Sequence, residues 1–542
     1  MSFVQSAPEL PDPYATDRVL QSYLARVLPA PQRNAAEPGF RALAAYAEHA
    51  YARQMTTPPS EPALTRWDVY GHRVDRITLT ETWREGPTIA ARHGLVADGH
   101  DRSLGEFARV QQFAKVYLYH AASAFYSCPL AMTDGVATAL RDTPNTALRE
   151  RILPHLLSRD PATFWISGQW MTETTGGSDV GGSETIARKA GDGTWRLDGR
   201  KWFTSAINAK IALALARPEG NPAGADGLAL FALATHAPDG AWNGITVDRL
   251  KDKLGNRELP TAEIHLHDAR AELVGATQHG VRAITPVLQV TRVWNAFGAL
   301  STMARCLALV RDYAQRRKVF GKLLATQPLF IDSLAGREAE FEAAFHLSME
   351  VALLLGRSEA GRADEHEVAL LRLLTPLAKL WVCALGVRVA SWAVEAFGGI
   401  GYLEDSGMPL LLRDAQVLPI WEGSGNVQAL DFLRALGKTG IEPLVTATDA
   451  WLEAADGAVV DADAETIHAA ILHADTWLRD HARDPDAQQA GALRLSRTCA
   501  RAAAVALLAR HAQWARQARN DEVSAQAARR FCTHGIDRIA DV

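Results

Sequence analysis

The chain has 542 residues, of which 48% are hydrophobic and 22% are charged, and its formal net charge is −5 at pH 7. These values exclude a mainly disordered chain, a collagen-like chain and a coiled coil, and they leave no overall basic field to attract nucleic acid. The longest uninterrupted apolar run, Ala502–Ala509, has eight residues, whereas a membrane-spanning helix needs about 20. We therefore expect no membrane span. The first 20 residues also lack the apolar region of a signal peptide.

Five cysteines are scattered along the chain without the spacing of a metal site, and their number is odd. This pattern is typical of a reducing compartment, so we expect a cytoplasmic protein with buried free thiols. His265 and His267 share one face of a candidate strand, but we interpret them as a solvated face rather than a metal site. The cysteines are Cys128, Cys306, Cys383, Cys499 and Cys532.

Residues 1–162 are predicted to form an N-terminal α-helical domain that begins with a loop-rich leader, residues 1–65. Prolines interrupt this leader, and short helices are expected between them at Asp17–Leu28 and Gly39–Gln54. Farther along, Ser103–Tyr126 carries apolar residues at a helical period.

Residues 163–275 are predicted to form a middle β domain. Trp195–Gly199 and Glu263–His267 alternate between apolar and polar residues, whereas Ile211–Ala216 and Leu228–Leu233 are short apolar runs. Both patterns are typical of β-strands.

Residues 276–440 are predicted to form a helical bundle from three long helices, Pro286–Lys318, Pro328–Gly356 and Glu365–Phe397. Residues 441–542 are alanine-rich and are expected to form an additional C-terminal helical domain.

Two segments of the β region are candidates for ligand binding. Met171–Gly182 contains two glycine pairs and several hydroxyl side chains, so its backbone can approach phosphates or ring carbonyls closely. The alternative is an ordinary surface loop. Asp198–Ser205 leads from a turn into a strand with two aromatic residues, one of which could stack on a flat cofactor. Its alternative is a β-hairpin with core aromatics.

Three segments of the helical region carry further candidates. Arg316–Gly321 places arginines near a helix end, where they could bind a phosphate or simply complement the helix dipole. Phe397–Tyr402 and Ile420–Asn426 are glycine-rich. In the second of them, Glu422 stands between a tryptophan and a glycine and could act as a general base. The alternative is an exposed glutamate in a turn between helices.

In this order the segments resemble the motifs of the acyl-CoA dehydrogenase superfamily of flavoproteins. Those motifs are a T-E-x-x-(G/A)-G-S-D-V loop, a K-x-x-(T/S) strand, an R-x-x-F-G helix end, a G-G-x-G turn and an aromatic-Glu-Gly-(Thr/Ser) segment. The resemblance covers residues 80–435. Trp202–Ser205, Leu250–Asn256 and Ile420–Asn426 are most similar to the AidB-like branch, which is linked to the response to DNA alkylation.

The resemblance implies an α+β fold: an N-terminal helical domain, a middle β-barrel-like domain, a C-terminal helical bundle and an extra C-terminal helical domain. Its cofactor would be FAD. Glu422 falls on the base that removes the α-proton of an acyl-CoA thioester while a hydride passes from the β-carbon to the flavin. Ser178 and Arg292 match substrate-binding positions. Because the family shares FAD between neighbouring subunits, we expect a homotetramer.

The resemblance also implies a set of FAD-binding residues. They are Met171, Thr172, Gly177, Ser178, Phe203, Thr204, Ser205, Arg317, Phe320, Gln327, Glu395, Gly398, Gly399, Ile420, Trp421, Gly423, Ser424 and Asn426.

Three positions depart from the pattern of many true dehydrogenases. Gln289 replaces an acidic residue, Phe203 replaces the flavin-stacking tryptophan, and Glu395 replaces the glutamine of Q-x-x-G-G. Three functions therefore stay open. They are an AidB-like flavoprotein that protects DNA, a working acyl-CoA dehydrogenase, and a non-redox scaffold with structural FAD.

The last hundred residues segregate charge. A stretch with eleven acidic and two basic residues precedes Arg494–Arg530, which holds eight arginines and two acidic residues. Arg494, Arg497 and Arg501 share one helical face and could bind the phosphates of duplex DNA. Arg434 matches a position linked to DNA contact in AidB-like proteins. The alternative is a solvated basic face that pairs with the acidic half.

Overall fold

The computed structural model describes residues 5–57, 59–455 and 461–539, which form two compact units. The helical unit consists of the described parts of Met1–Thr57, Arg102–Ala122 and Arg292–Val542. The β unit consists of the described parts of Pro58–Asp101 and Ser123–Thr291. Residues 1–4 and 58 of the predicted leader, and 456–460 and 540–542 of the predicted C-terminal domain, lie outside the described residues.

Sixteen α-helices are formed by the described residues. They are α1 (Arg18–Val27), α2 (Ala30–Thr56), α3 (Glu81–Arg92), α4 (Ala108–Tyr119), α5 (Ser127–Arg141), α6 (Thr146–Leu156), α7 (Gly280–Ala283), α8 (Thr285–Arg316), α9 (Pro328–Glu359), α10 (Glu365–Ala396), α11 (Met408–Ala415), α12 (Gly425–Thr439), α13 (Glu442–Glu453), α14 (Asp461–Asp480), α15 (Pro485–Arg519) and α16 (Val523–Thr533).

Eleven β-strands accompany them in the same part of the chain. They are β1 (Ala63–Trp67), β2 (Arg73–Thr78), β3 (Ser167–Trp170), β4 (Ile186–Lys189), β5 (Trp195–Ser205), β6 (Ile211–Pro218), β7 (Ala229–Ala234), β8 (Ile245–Leu250), β9 (Thr261–Leu273), β10 (Lys318–Val319) and β11 (Lys322–Leu323).

The main sheet of the β unit closes on itself. Strand β6 pairs in parallel with β4 and antiparallel with β7, and the pairs β4–β5, β5–β9 and β9–β7 complete the ring. Strand β3 adds to β6 and β8 adds to β9. Closure leaves few free edges and encloses a packed core, so the predicted barrel-like middle region is present.

Strand β6 shows why its sequence is a continuous apolar run. Ala212 and Ala214 pack into the cluster enclosed by the ring, together with Phe231 of β7. Leu213 and Leu215 point the other way, into a second cluster formed with α5 and α6. A strand that is buried on both faces does not need to alternate apolar and polar residues.

The predicted loop-rich leader differs from the structure at helix α2. We expected short helices between prolines, but this one helix has 27 residues. Pro31 lies in its first turn, where a backbone N–H has no helical partner, and Pro38 lies inside the helix. Burial of Phe40 and Leu43 compensates for the backbone hydrogen bond lost at Pro38. The hairpin formed by β1 and β2 was not predicted.

The three long helices predicted for the bundle are present as α8, α9 and α10. Asp364 begins α10 with a capping box, in which Glu367 bonds back to the backbone of Asp364. Helices α8 and α10 are long and apolar enough to cross a membrane, but 89% and 72% of their apolar windows are buried inside the protein. Packing therefore accounts for their hydrophobicity.

The C-terminal region is helical as predicted. The apolar run Ala502–Ala509 lies in the middle of α15, and every residue of it is buried. Asn520 ends α15 in the left-handed conformation, with a backbone hydrogen bond to the last turn.

Candidate active site

A buried ion pair fastens the glycine-rich loop to strand β5. The Nζ atom of Lys201 donates to Oε1 of Glu173 at 2.6 Å and to the carbonyl of Leu215 at 2.7 Å. Glu173 also accepts the hydroxyl of Thr185 at 2.6 Å and the N–H of Glu184 at 2.6 Å. Burial alone would raise the pKa of Glu173, but the ammonium and these hydrogen bonds hold it below its ordinary value.

The loop residues predicted to bind the cofactor lie at the surface of the β unit. Gly177 and Ser178 are exposed, and Met171 and Thr172 are half-buried. The loop is compact, because a Cβ added at Gly177 would lie 3.0 Å from the side chain of Thr172. The N–H of Trp202 donates to the carbonyl of Thr172 at 2.9 Å, which sets the loop beside β5.

A β-bulge redirects the aromatic pair of β5. Trp202 and Phe203 together stand opposite a single residue of β9, Glu263. As a result both rings lie near the ammonium of Lys251, whose Nζ is 3.5 Å from the Trp202 ring centroid and 4.4 Å from that of Phe203. Lys251 is fixed by an ion pair to Glu263 at 2.9 Å. The bulge leaves the Phe203 side chain 50% exposed, as a flat apolar surface.

The next two residues of β5 have different environments. Ser205 is half-buried, and its hydroxyl lies 3.1 Å from that of Thr261. Thr204 is completely buried, and its hydroxyl donates to the carbonyl of Ala262 at 2.6 Å. Strand alternation turns the Thr204 side chain into the core, so the predicted contact of Thr204 with FAD stays a prediction about its backbone.

A tight turn presents Phe320 at the surface of the helical unit. Strands β10 and β11 pair across the two-residue turn Phe320–Gly321, whose φ angles are +49° and +77°. These angles are typical of a type I′ hairpin, which favours glycine or asparagine at both positions. The Phe320 side chain is nevertheless 100% exposed. Gln327 supports the hairpin by donating to the Val319 carbonyl at 3.2 Å.

The ends of α8 and α10 meet in the helical unit. The ring of Tyr313 stacks on that of Phe397 at 4.3 Å, and its hydroxyl donates to the Phe397 carbonyl at 3.4 Å. Arg317 directly follows α8, and the exposed Gly398 and Gly399 directly follow Phe397. The structure therefore brings two separate sequence motifs together. Glu395 is exposed in the last turn of α10.

Glu422 occupies a strained turn between α11 and α12. Its φ angle is +57°, and that of Gly423 is +97°. A positive φ is uncommon in a residue other than glycine and persists only where the surroundings hold it. Glu422 and Trp421 are half-buried, whereas Ile420 is exposed. Ser424 and Asn426 are also exposed, at the start of α12.

Three side chains hold the carbonyl groups of this turn. The Nζ atom of Lys379 donates to the Gly423 carbonyl. Nε2 of Gln428 donates to the Glu422 carbonyl at 2.8 Å, and Nε of Arg292 donates to the same oxygen at 3.4 Å. Lys379 and Gln428 are fully buried. These bonds fix the backbone of the turn at Glu422 and at the residue that follows it.

Asp431 anchors the arginine of this set. Its carboxylate accepts Arg292 Nη1 at 2.6 Å and Arg372 Nη2 at 2.6 Å. Burial would raise the pKa of Asp431, but the two guanidinium groups lower it below its ordinary value. Arg292, predicted to contact the substrate, thus links Asp431 to the Glu422 carbonyl.

Burial lowers the pKa of Lys379, and the nearby Glu422 carboxylate opposes that effect. Sequence reasoning missed four residues of this network. One signal could have found Lys379: it is a charged residue inside the apolar stretch of α10, and such a residue needs a partner when buried. The four residues are Lys379, Arg372, Gln428 and Asp431.

The arginines predicted to bind DNA differ in exposure. Arg434 and Arg497 are exposed, and Arg494 is half-buried. Arg501 is only 3% exposed, and its guanidinium lies 4.3 Å from the ring centroid of Phe531. Arg501, predicted to share a phosphate-binding face with Arg494 and Arg497, is therefore covered by α16 rather than exposed beside them.

The described residues contain no group of three or more His, Cys, Asp or Glu side chains that could hold a metal ion. All five cysteines are free and buried.

Three family models match successive parts of the chain between residues 6 and 437. The model "Adaptive response protein AidB N-terminal domain" matches residues 6–161. "Acyl-CoA dehydrogenase, middle domain" matches residues 168–269, and "Acyl-CoA dehydrogenase, C-terminal domain" matches residues 278–437.

Individual relatives and a solved structure point to the same family. Acyl-CoA dehydrogenase family member 11 of Caenorhabditis elegans is 42% identical over 454 residues, which are 81% of this chain and 73% of that protein. Putative acyl-CoA dehydrogenase AidB of Escherichia coli (strain K12) is 36% identical over 390 residues, 70% of this chain and 69% of that one. The crystal structure of C. elegans ACDH-11 in complex with C11-CoA superimposes with a TM-score of 0.94 at 35% identity. The superposition covers 100% of this chain and 94% of the ACDH-11 chain.

The chain belongs to the acyl-CoA dehydrogenase family and is an oxidoreductase of that type. Within the family it is AidB-like, because its N-terminal part matches the AidB N-terminal domain. The predicted family and fold class are both confirmed.

Proposed function

We propose that the protein binds FAD and oxidises the acyl group of an acyl-CoA thioester, with Glu422 as the catalytic base. The observation that carries this proposal is the turn at Glu422, where a strained glutamate is held by three buried or half-buried donors. Storing strain at a residue of this type is characteristic of catalytic positions. A glutamate that only faced solvent would need no such support.

The residues fit FAD in each unit. In the β unit, Phe203 offers a half-exposed ring fixed beside Lys251, and the hydroxyls of Ser178 and Ser205 suit the carbonyl and nitrogen atoms of a flavin ring. In the helical unit, the fully exposed Phe320 and the guanidinium of Arg317 suit an adenine ring and a pyrophosphate. When bound, FAD accepts the hydride from the acyl β-carbon.

Glu422 would remove the α-proton of the thioester. Its carboxylate must be held at hydrogen-bond distance from that carbon, and a misplacement of about 1 Å can cost on the order of 10²-fold in rate. The hydrogen bonds from Lys379 and Gln428 limit such movement because they fix the carbonyl of Glu422 itself and that of Gly423, the next residue. Ser178 and Arg292 remain the proposed substrate contacts.

An anaerobic titration of the purified, FAD-loaded protein tests this function. We would add short, branched and long acyl-CoA esters and follow the flavin absorbance near its visible maximum. Rapid bleaching by at least one ester would support the dehydrogenase. Tightly bound FAD with no bleaching by any ester would contradict it and favour the alternative in which FAD is structural.

A second candidate function is association with duplex DNA in the alkylation response. The match of residues 6–161 to the AidB N-terminal domain favours it, together with the exposed Arg434 and Arg497. Retention on a duplex-DNA column that falls steeply with added salt would support this role. Absence of binding at low salt would contradict it.

Assembly and location are part of the same proposal. Phe320 and Arg317 would reach the FAD of a neighbouring subunit, which requires an oligomer, and we propose a homotetramer. Light scattering that gives a monomeric mass would contradict the proposed homotetramer.

The buried free thiols support a reducing, cytoplasmic compartment. The family matches end at residues 161, 269 and 437, close to the proposed domain boundaries at residues 162, 275 and 440, and support that division.

A further inference from the structure

A cavity of about 1160 Å³ lies inside the helical unit. It is lined by the segment before α1 and by residues of α1, α4, α8, α9 and α16. None of its lining residues belongs to the FAD or substrate contacts proposed above. Cavities that hold a small molecule commonly have volumes of about 300–1,000 Å³, so this one has room for a ligand.

Small side chains on two long helices keep the cavity open. Ala304 and Ala308 of α8 are four residues apart and share one face of the helix, and Ala335 lies on α9. All three are half-buried, whereas every other residue from 301 to 310 is buried. This face of α8 therefore borders an open space instead of packing against a neighbouring helix.

The acidic side chains of the lining already have partners. The Asp17 carboxylate accepts the N–H of Leu20 at 2.8 Å and the hydroxyl of Tyr117. Asp312 accepts Nε of Arg316 at 2.9 Å. Each remaining acidic residue forms an ion pair with an arginine of the lining. These pairs are Arg18–Glu342, Arg311–Glu338 and Arg530–Asp332.

Arg305 is a buried cation of the lining that has no carboxylate partner among the described residues. Its Nη1 donates to the Ala121 carbonyl at 2.6 Å and its Nη2 to the Ala47 carbonyl at 3.4 Å. A guanidinium has five N–H donors, so other donors remain for a ligand. Arg529 also lines the cavity without an ion pair to any residue the structure describes, but it is half-buried and open to water.

The isolation of Arg305 has an energetic cost. The residue is only 6% exposed, and burial lowers its pKa to about 10. A buried charge is unfavourable unless a counter-charge accompanies it. An anion that entered the cavity would supply that counter-charge.

We propose that the cavity binds a free fatty acid, with its carboxylate on Arg305 and its alkyl chain along the alanine face of α8. A carboxylate fits the donor fork of a guanidinium and carries the single negative charge that Arg305 lacks. Phe330 and Leu334 of α9 add apolar surface to the lining. The exposed Ile331 and Gln526 mark its mouth.

An acyl-CoA fits this cavity less well than a fatty acid. The acyl end that would enter first carries no charge, so Arg305 would stay buried without a counter-charge. The proposed site is therefore selective for the free acid, and it depends neither on FAD nor on Glu422.

Calorimetric titration of the full-length FAD-loaded protein with laurate, below its micelle concentration, tests the site. Arg305→Met should weaken laurate binding at least about tenfold, as expected for loss of a charge-assisted contact. Dodecanol has the same chain without the charge and should bind the wild type more weakly than laurate. Arg519→Met removes an exposed arginine at the end of α15 and should leave laurate binding unchanged.

A second variant covers the case in which Arg305→Met does not fold. Ala308→Leu fills part of the cavity and leaves Arg305 in place, so it should weaken laurate binding about tenfold without lowering the free energy of unfolding. Weaker binding in the folded cavity variants, with unchanged binding in Arg519→Met, supports the proposal. No laurate binding to the wild type, equal binding by the wild type and the cavity variants, or dodecanol binding as tight as that of laurate overturns it.

Discussion

The buried ammonium of Lys379 donates a hydrogen bond to the carbonyl of Gly423, the residue that directly follows Glu422. A lysine in the apolar interior of α10 is unfavourable unless it is paired. Here its partner is a backbone carbonyl in a strained turn. We propose that Lys379 is a positioning residue, which would act on the chemistry through the placement of Glu422.

Replacing Lys379 with Met should slow flavin reduction without releasing FAD. The Gly423 carbonyl would lose its donor, and the turn could relax away from its present φ angles. We expect the rate of bleaching by acyl-CoA to fall on the order of 10–100-fold, with little change in substrate affinity. Stopped-flow reduction and spectral titration would measure the two quantities separately.

Lys438→Met is a matched control, since Lys438 is exposed on α12. It should leave both quantities unchanged. A Lys379→Met protein that folds, binds FAD and is reduced at the wild-type rate would rule out the positioning role.

Phe320 offers a substitution with opposite effects on stability and on cofactor binding. Asparagine adopts the positive φ of the type I′ turn more readily than phenylalanine, so Phe320→Asn should leave the free energy of unfolding unchanged or raise it by up to about 1 kcal/mol. The same change removes the exposed ring, so FAD affinity should fall about tenfold. Denaturant unfolding and flavin fluorescence would measure these effects.

Tyr70→Ala is the control, because Tyr70 is 84% exposed in the hairpin formed by β1 and β2. It should not alter FAD affinity. If Phe320→Asn retained FAD as tightly as this control, the exposed ring would have no part in cofactor binding.

Asp431 makes the stability of the turn at Glu422 and Gly423 depend on pH. Its two arginine partners lower its pKa, so its contribution is fully present above the ordinary aspartate value of about 4 and is lost as the pH falls through the lower folded value. Asp431→Asn should lower the free energy of unfolding by roughly 1–3 kcal/mol at pH 7.

The difference in the free energy of unfolding between Asp431→Asn and wild type should shrink as the pH falls below about 4. Urea unfolding at a series of pH values would measure this trend. Asp480→Asn, at an exposed position of α14, should show no such trend. A difference that stayed constant down to pH 3 would mean that the Asp431 carboxylate does not stabilise the turn through its charge.

The regular elements could be predicted because each had a clear periodic signal. The strands β5, β6 and β9 and the helices α8 to α10 followed from alternation, apolar runs and helical periodicity. Gly177, Phe320 and Glu422 could be singled out as candidate site residues from the short motifs that contain them. Their proposed roles came from the family resemblance.

What sequence could not reveal depended on tertiary contacts. Helix α2 continues through Pro38 because packing of one face outweighs a local breaker. Arg501 has a helical spacing suited to a surface stripe, yet α16 and Glu340 enclose it. Lys379 and Gly423 are 44 residues apart along the chain, and only the packing of α10 against the turn brings them together.

The central claim is that Glu422 is the base, and Glu422→Gln tests it most directly. Glutamine keeps the size and most contacts of the side chain but cannot accept the α-proton. The measurement is the single-turnover rate of flavin bleaching, under anaerobic conditions, with the acyl-CoA that reduces the wild type fastest. Glu453→Gln, exposed on α13, is the control. We predict FAD binding unchanged in both variants and a rate loss of at least about 10³-fold in Glu422→Gln alone. Reduction of Glu422→Gln at the wild-type rate would contradict the account.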